Sequence, residues 1–107
     1  MKVNLLWVVI RPERKAAVIK SLEKAGFFGL TDWSVFGRGL QGGVQVGSTH
    51  YDELAKTLLL VATRAEDSQR AIEAVKAAAL TGSPGDGKIF VQPVRAVYNI
   101  RTGKPEL

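Results

Sequence analysis

The sequence contains no cysteine among its 107 residues and a single histidine, His50. The lack of cysteine excludes disulfides, thiolate catalysis, cysteine-ligated zinc and iron–sulfur clusters. One histidine cannot by itself form a metal site or a catalytic triad, so we expect His50 to be a solvated loop residue. This composition fits a cytoplasmic protein without a resident metal.

Long apolar runs and targeting signals are also missing. The apolar N-terminal run contains Asn4, has no small-residue cleavage site and stops at Arg11 and Pro12, which indicates a strand rather than a signal peptide. No stretch approaches the roughly 20 apolar residues that a membrane-spanning helix needs, so we expect no membrane insertion. The net charge of +5 suits an anionic partner such as phosphate, nucleotide, nucleic acid or an acidic protein.

The length predicts a single domain, residues 1–107, with a modest core. Runs of β-branched residues predict strands at 3–10, 30–37, 57–64 and from 88 towards 98. Apolar residues at helical spacing predict helices at 12–25, ending at Gly26, and at 66–82, with Asp67 or Ser68 as N-cap. This β-α-β-β-α-β order is typical of an α+β, ferredoxin-like sandwich, with both helices on one face of a four-stranded antiparallel sheet.

The first strand is apolar on both faces. Leu5, Trp7 and Val9 alternate with an equally apolar set at 6, 8 and 10. Two helices can cover one face only, so the other requires a partner surface, and we expect a homo-oligomer joined sheet to sheet. Trp7 and Trp33 are expected in the core or this interface rather than as base-stacking platforms.

Two glycine-rich segments interrupt these elements. Five glycines lie between 37 and 47, which predicts a long loop running to about Leu54. In the second, GSPGDGK at 82–88, glycines allow backbone N–H groups to approach an anion while Lys88 supplies charge. This segment is a candidate phosphate cradle, although an ordinary helix-to-strand turn has a similar composition. Arg11, Arg38 and Arg101 lie near predicted turns, either converging on a site or as scattered surface charge.

Four segments together resemble the PII nitrogen-signalling family, and they cover nearly the whole chain in order. They are VVIRPER at 8–14, GRGLQGG at 37–43, YDELAK at 51–56, and TGSPGDGKIFVQPV at 81–94 followed by IRTG at 100–103. The resemblance implies a homotrimer of ferredoxin-like subunits with nucleotide clefts between neighbours. It implies a long effector loop, the T-loop, at about 39–54 and a C-terminal segment at about 95–107. It also implies a sensor rather than an enzyme.

The resemblance further implies binding of ATP or ADP, with Mg accompanying ATP, and of 2-oxoglutarate as effector. The implied nucleotide-binding residues are Gly29, Thr31, Gly37, Gly39, Gly85, Asp86, Gly87, Lys88 and Arg101. The residues implied for 2-oxoglutarate and Mg are Gln41, Lys56 and Arg11, with Gln41 reaching the nucleotide-bound Mg. The implied target-docking residues of the T-loop are Val44, Gln45, Val46 and Tyr51.

Several positions depart from the family pattern. Asn99 replaces a phosphate-binding arginine, Leu40 replaces a T-loop arginine and Gly42 replaces a lysine. Each lost charge-assisted contact is worth roughly 1.5 to 3 kcal/mol, so we expect weak ATP binding or a preference for ADP. Tyr51 does not align with the tyrosine that is uridylylated in many PII proteins, so we expect no such modification.

The loop text GGVQVGSTHYDELAK looks like the nitrogenase-associated branch of the family. Members of that branch bind the dinitrogenase component, switch off nitrogen fixation when ammonium is plentiful and work together with a PII paralogue. Three alternatives remain open: regulation of an ammonium channel or another metabolic enzyme, a nucleic-acid-binding ferredoxin-like module, and a small enzyme such as an acyl phosphatase. The absence of Lys and Arg between Val3 and Ile10 argues against nucleic acid as a partner.

Overall fold

The computed structural model describes residues 1–40 and 42–107. Its strands are β1 (Val3–Ile10), β2 (Thr31–Gly37), β3 (Val44–Val46), β4 (Thr49–Tyr51), β5 (Leu54–Arg64) and β6 (Gly87–Val94), and its helices are α1 (Lys15–Lys24) and α2 (Ser68–Ala79). A single 3-10 turn precedes each helix, at Pro12–Arg14 and Ala65–Asp67. The predicted ferredoxin-like order is confirmed, with the small β3–β4 hairpin added to it.

The main sheet has the strand order β2-β5-β1-β6, and every pairing in it is antiparallel. The two central strands, β1 and β5, are the ones richest in Leu and Val, as expected of strands paired on both sides. In the register, Trp7 lies opposite Leu60 on one side and Phe90 on the other. This register fixes which side chains share a face.

The core lies between one face of this sheet and the two helices. Alternate residues of β1, Leu6, Val8 and Ile10, are at most 2% exposed. They form one cluster with residues of β5, α1 and α2, namely Leu59, Val61, Val18, Leu22, Ala71, Val75 and Ala79. Burial of a large apolar side chain stabilises the fold by about 1.5 to 3 kcal/mol, so this cluster is what holds helices and sheet together.

Helix α1 ends where the sequence predicts. Gly26 takes φ 95°, its N–H donates to the Glu23 carbonyl at 2.9 Å, and the Phe27 N–H donates to the Leu22 carbonyl at 2.8 Å. These two bonds are the Schellman pattern, in which a left-handed glycine satisfies the last helical carbonyls. Arg70 of α2 reinforces this end, since its guanidinium lies 4.7 Å from the centroid of the Phe27 ring.

The predicted N-cap position of α2 is confirmed, but the side chain at that position does not cap the helix. Asp67 occupies the N-cap position but makes no side-chain bond to the helix N-terminus, and its carboxylate pairs with Arg70 at 3.1 Å. The Ser68 hydroxyl is buried and bonds to Thr63 at 2.8 Å and Asn4 at 2.9 Å. The Asp67 side chain therefore makes a local ion pair within the first turn, the Ser68 side chain makes a tertiary contact, and the 3-10 turn begins the helix. In the described part of the chain, no helix has the length and apolar character needed to cross a membrane.

Two predicted strand ends differ in the structure. Strand β6 stops at Val94 rather than continuing towards Tyr98, because its partner β1 begins at Val3, directly opposite Val94. Strand β5 begins at Leu54, three residues earlier than the predicted 57, because β2 extends to Gly37 and pairs with it there. In both cases the partner strand sets the boundary.

The predicted long loop contains the β3–β4 hairpin. Val44 pairs with Tyr51 and Val46 with Thr49, leaving Gly47 and Ser48 as the two-residue turn. Gly47 has φ 60°, as the first central residue of a type II′ hairpin turn requires. The prediction of a segment without regular elements is therefore wrong for this stretch.

The second face of the sheet is uncovered in the single chain. Leu5, Trp7 and Val9 point to this face and are partly exposed, and Phe90 beside them is 55% exposed. The Trp7 indole N–H donates to the Gln92 side-chain oxygen at 2.9 Å, so its polar atom is satisfied within the face. An exposed face formed by apolar and aromatic side chains is typical of a protein interface.

Candidate functional site

The strongest candidate site is a cavity of about 420 Å³ at one end of the sheet, which we call the cationic cavity. Its lining includes six of the expected site residues, and the whole set is Val9, Gly37, Arg38, Gly39, Leu40, Lys56, Gly85, Gly87, Lys88 and Phe90. Three of these side chains are cationic and, among the described lining residues, none carries a carboxylate. The cavity therefore favours an anion.

The sheet register explains why distant segments meet here. Ile10 at the end of β1 lies opposite Thr57 on β5 and Gly87 on β6. Gly37 at the end of β2 pairs with Leu54 at the start of β5. The two glycine-rich segments, one after β2 and one before β6, therefore lie at the same end of the sheet.

Asp86 organises the turn that precedes β6. Its carboxylate accepts hydrogen bonds from the Thr81 N–H at 2.8 Å, the Gly82 N–H at 2.9 Å and the Thr81 hydroxyl. It also pairs with Arg11 at 3.3 Å. The Thr81 hydroxyl bond, the Thr81 and Gly82 N–H groups and Arg11 hold the pKa of Asp86 well below its usual range. Asp86 thus shapes the turn, and its carboxylate is committed to these partners.

Glycine is required at Gly87 by both conformation and space. Its φ is 122°, and a Cβ there would lie 2.9 Å from the Val9 carbonyl carbon and 3.2 Å from the Ile10 Cα. Gly85, with φ 98°, places a hypothetical Cβ 3.3 Å from the Arg11 guanidinium. The turn therefore lies directly against the end of β1, with its backbone rather than side chains facing the cationic cavity.

Two cations bracket this turn. Arg11 donates to the Pro84 carbonyl at 2.8 Å, and the Lys56 ammonium donates to the Gly85 carbonyl at 2.8 Å. Lys56 is only 8% exposed, and burial, followed by the nearby charge of Arg11, lowers its pKa. A buried ammonium whose charged form is disfavoured gains more than a surface lysine does when an anion pairs with it.

The remaining expected nucleotide residues lie elsewhere on the chain. Gly29 and Thr31 line a separate depression of about 590 Å³, together with Asn99 of the C-terminal segment. Thr31 and Gly37 begin and end β2, which separates them by about 20 Å at 3.3 Å per residue. One chain therefore carries two groups of site residues at opposite ends of the sheet.

Asn99 and Arg101 belong to a turn near this second depression. The Asn99 side-chain oxygen accepts the Arg101 N–H at 2.9 Å and the Thr102 N–H at 3.4 Å. This is a local turn of the kind that Asn commonly stabilises. Asn99 is therefore used to shape the backbone that carries Arg101.

The expected docking residues lie on the hairpin. Val44, Gln45 and Val46 form β3, and Tyr51 ends β4, with Val46 59% and Tyr51 49% exposed. Gln41, expected to contact Mg and 2-oxoglutarate, lies outside the described residues.

His50 does more than the sequence suggests, since its ring bonds to other residues of the hairpin segment. Its side chain is 47% exposed, so His50 is partly solvated, as expected, and partly packed against the hairpin.

Two residues contribute more to the site than the sequence indicated. Arg38, which the sequence left open as either a site residue or scattered surface charge, lines the cationic cavity. Thr81 fixes Asp86 through both its hydroxyl and its N–H, and its place five residues before Asp86 gave no pattern that identifies this role.

This chain combines a ferredoxin-like domain with a glycine turn, a cationic cavity and a long loop. These features together are typical of small regulatory proteins that bind an anionic ligand. The family model of the nitrogen regulatory protein P-II matches residues 3–104. The chain belongs to the P-II family of nitrogen regulatory proteins.

Several curated relatives share most of this chain. It is 47% identical over 104 residues to the nitrogen fixation nifHD1 region GlnB-like protein 1 of Methanosarcina barkeri, covering 97% of this chain and 99% of that protein. It is 42% identical over 101 residues to the nitrogen fixation nifHD region GlnB-like protein 1 of Methanothermococcus thermolithotrophicus, covering 94% and 96%. These names agree with the resemblance to the nitrogenase-associated branch.

A solved structure supports the same fold. The crystal structure of Arabidopsis thaliana PII bound to citrate superimposes with a TM-score of 0.81 at 30% identity, covering 98% of this chain and 86% of that one. The predicted α+β, ferredoxin-like class is confirmed.

Proposed function

We propose that this protein is a sensor that binds adenine nucleotide and 2-oxoglutarate and regulates nitrogen metabolism by docking its T-loop, residues 39–54, on a target. One observation carries the proposal: Arg38, Lys56 and Lys88 converge with a glycine turn on a single cavity at the base of that loop. The cavity can hold an anion, and the loop beside it can report the anion's presence. The proposed role is regulatory rather than catalytic.

The phosphates of ATP or ADP are proposed to bind Lys88, Arg38 and the backbone N–H groups of the Gly85–Gly87 turn. The residues fit this group, because glycines expose the backbone and cations line the cavity. When ATP binds, Mg offsets part of the triphosphate charge, and Gln41 is the proposed protein contact to it. Asp86 contributes by holding the turn in shape rather than by touching phosphate.

The adenine side is proposed to come from a neighbouring copy. Gly29, Thr31 and the Asn99 turn that carries Arg101 belong to the end of the molecule about 20 Å from the cationic cavity along β2, so a cleft between copies is required to join the two groups. The uncovered face around Trp7 and Phe90 provides the surface for such an assembly. A homotrimer satisfies both observations.

The 2-oxoglutarate carboxylates are proposed to pair with Lys56, with Arg11 close by. Burial lowers the pKa of Lys56, so a bound dianion restores the favourable state of its ammonium group. The Arabidopsis relative was crystallised with citrate, another small polycarboxylate, which is compatible with a carboxylate site in this fold.

The target is proposed to be a nitrogenase component. The curated relatives bear the names of the nifHD region of nitrogen fixation, and their designation as protein 1 favours a second PII paralogue as a further partner. The β3–β4 hairpin, with Val46 and Tyr51 exposed, is the proposed contact surface.

Calorimetric titration with ATP and with ADP tests the nucleotide site. We expect Lys88→Ala to weaken binding by at least about tenfold, the equivalent of losing one charge-assisted contact. Lys20→Ala is the matched control, because Lys20 is an exposed residue of α1 away from the cavity. Equal affinities for the two variants would show that the phosphates bind elsewhere.

Co-sedimentation with purified dinitrogenase component tests the target. We expect complex formation that Tyr51→Ala weakens and that ATP with 2-oxoglutarate relieves. A purified ammonium channel is the comparison partner; binding to the channel alone would retain the sensor and reject the nitrogenase assignment.

A further inference from the structure

Lys56 is a buried lysine that lies at the wall of the cationic cavity. The residue is 8% exposed, and it lines this cavity together with Arg38 and Lys88. In the described part of the chain, its amine donates one hydrogen bond, to the Gly85 carbonyl at 2.8 Å. Because the rest of the residue is buried, a reagent reaches the amine through the cavity.

The surroundings of Lys56 favour the neutral amine. Burial is the largest effect that lowers its pKa, and the Arg11 guanidinium adds to it, while Glu13 and Asp86 act in the opposite direction. The Asp86 carboxylate is already bonded to Thr81 and Arg11. A lysine that is desolvated beside another cation is activated as a nucleophile, because the neutral amine carries a free electron pair.

The bond to Gly85 is compatible with a reaction at this amine. A neutral amine has two N–H groups, and when one of them donates to the Gly85 carbonyl, the electron pair points away from that oxygen. An amide formed on the same nitrogen still has one N–H. Lys56 can therefore keep its contact with the glycine turn both before and after its nitrogen is acylated.

Arg38 and Lys88 are the cations of the cavity that can hold an anion beside this amine. Among the ion pairs of the described residues, none includes either of them. Arg11, in contrast, is bonded to the Pro84 carbonyl and the Asp86 carboxylate. A cavity of about 420 Å³ has room for a small ligand with a phosphate group. Its phosphate would lie in the same cavity as the Lys56 amine.

We propose that Lys56 is a modification site for acyl phosphates, which are mixed anhydrides of a carboxylic acid and phosphoric acid. Arg38 and Lys88 hold the phosphate group, and Lys56 Nζ attacks the acyl carbon. A C–N amide bond forms, the C–O bond to phosphate breaks, and the phosphate leaves with the electron pair of that bond. The proton that the amine loses goes to the departing phosphate, whose charge the cations offset. The products are the acylated lysine and inorganic phosphate.

Acylation removes the positive charge of Lys56. The proposed binding of 2-oxoglutarate uses this charge, so an acylated copy should bind the effector weakly, and this consequence rests on the proposed function. The reaction itself requires neither nucleotide nor 2-oxoglutarate. A protein that binds ATP in calorimetry and leaves Lys56 unmodified would therefore reject the acylation alone.

Mass spectrometry of the full chain treated with acetyl phosphate tests the reaction without any nucleotide. We expect Lys56 to be acetylated at least about tenfold faster than Lys20, an exposed lysine of α1, since one charge-assisted contact to the phosphate is worth about that factor. Inorganic phosphate should slow the acetylation of Lys56 and leave that of Lys20 unchanged. Acetylation of Lys20 at the same rate or faster would overturn the proposal, as would a lack of protection by phosphate.

A reagent without phosphate distinguishes guidance by the cavity from general reactivity of the amine. The N-hydroxysuccinimide ester of acetic acid transfers the same acetyl group and carries no charge. We expect its preference for Lys56 over Lys20 to be lower than that of acetyl phosphate by about tenfold or more. Lys88→Ala should lower the acetyl phosphate preference by a similar factor. Equal preferences for the two reagents in wild type would show that the cavity does not guide the reaction.

Discussion

Substitution of Gly87 by alanine should be the most damaging single change in the glycine turn, because two costs coincide there. The left-handed φ of 122° strains any L-residue, which costs on the order of 1 to 3 kcal/mol. The added Cβ would also lie within 2.9 Å of the Val9 carbonyl carbon, a backbone atom that cannot swing aside. Relieving this clash requires β6 to move from β1 and breaks about one ladder hydrogen bond, worth roughly 1 kcal/mol. We expect a loss of about 2 to 4 kcal/mol from the free energy of unfolding.

Substitutions at two other glycines separate the cost of backbone strain from the cost of the steric clash. Gly82 has φ 88° but open space around a hypothetical Cβ, so Gly82→Ala should cost the strain alone. Gly29 has open space and no positive φ, so Gly29→Ala should change stability little or increase it slightly. Urea unfolding at one fixed protein concentration measures all three, since an oligomer's stability depends on concentration. Equal losses for Gly87→Ala and Gly82→Ala would refute the steric part of the reasoning.

Three further predictions concern the turn, the cavity and the assembly. Because hydrogen bonds from Thr81 hold the pKa of Asp86 well below its ordinary value in the folded chain, the stability that it contributes is fully present above the ordinary carboxylate pKa and is lost progressively below that value, towards the depressed pKa. Asp86→Asn should therefore be less stable at neutral pH and show a shallower loss in acid, measured by urea unfolding from pH 7 to pH 2. Leu40→Arg, which adds a cation to the cavity, should tighten ATP binding by about tenfold and ADP by less, measured by calorimetry, and unchanged affinities would contradict the account. Leu58→Asp, which places a charge opposite Val9 on the uncovered face, should convert the proposed trimer to monomers in sedimentation velocity, and an unchanged oligomer would place the interface elsewhere.

The order of elements could be predicted from sequence because it depends on local signals. The continuous apolar run of β1 and the helix stop at Gly26 depend on only a few neighbouring residues, and both appear in the structure as expected. The end of β6 could not be found this way. It is set by Val3 on another strand, and the continuing run towards Tyr98 contains no local stop.

The β3–β4 hairpin has a turn sequence that could have been recognised, but the high glycine content of the segment favoured a different prediction. The five glycines from 37 to 47 favoured an irregular loop, yet Gly47–Ser48 between Val46 and Thr49 is a recognisable two-residue turn. Gly43 supports this pairing, because its φ of 101° brings its backbone close against Tyr51. Composition over the whole segment was a poorer guide than the turn at its centre.

The sequence indicated which residues lie near the candidate site better than it indicated what each of them does there. The family pattern proposed Lys56 and Asp86, and the structure places Lys56 at the cavity. The family pattern could not indicate that Lys56 is buried and bonded to Gly85, or that the Asp86 carboxylate is bonded to Thr81. These contacts depend on side-chain directions across the sheet.

Titration of the protein with 2-oxoglutarate, with and without Mg-ATP, tests whether Lys56 holds the effector beside bound nucleotide. We expect wild type to bind 2-oxoglutarate when Mg-ATP is present, and we expect Lys56→Met to abolish this binding while it still binds ATP. Met keeps the length and apolar stem of the buried lysine and removes its charge. Binding of 2-oxoglutarate to Lys56→Met with wild-type affinity, or no binding of ATP to wild type at millimolar concentration, would contradict this expectation.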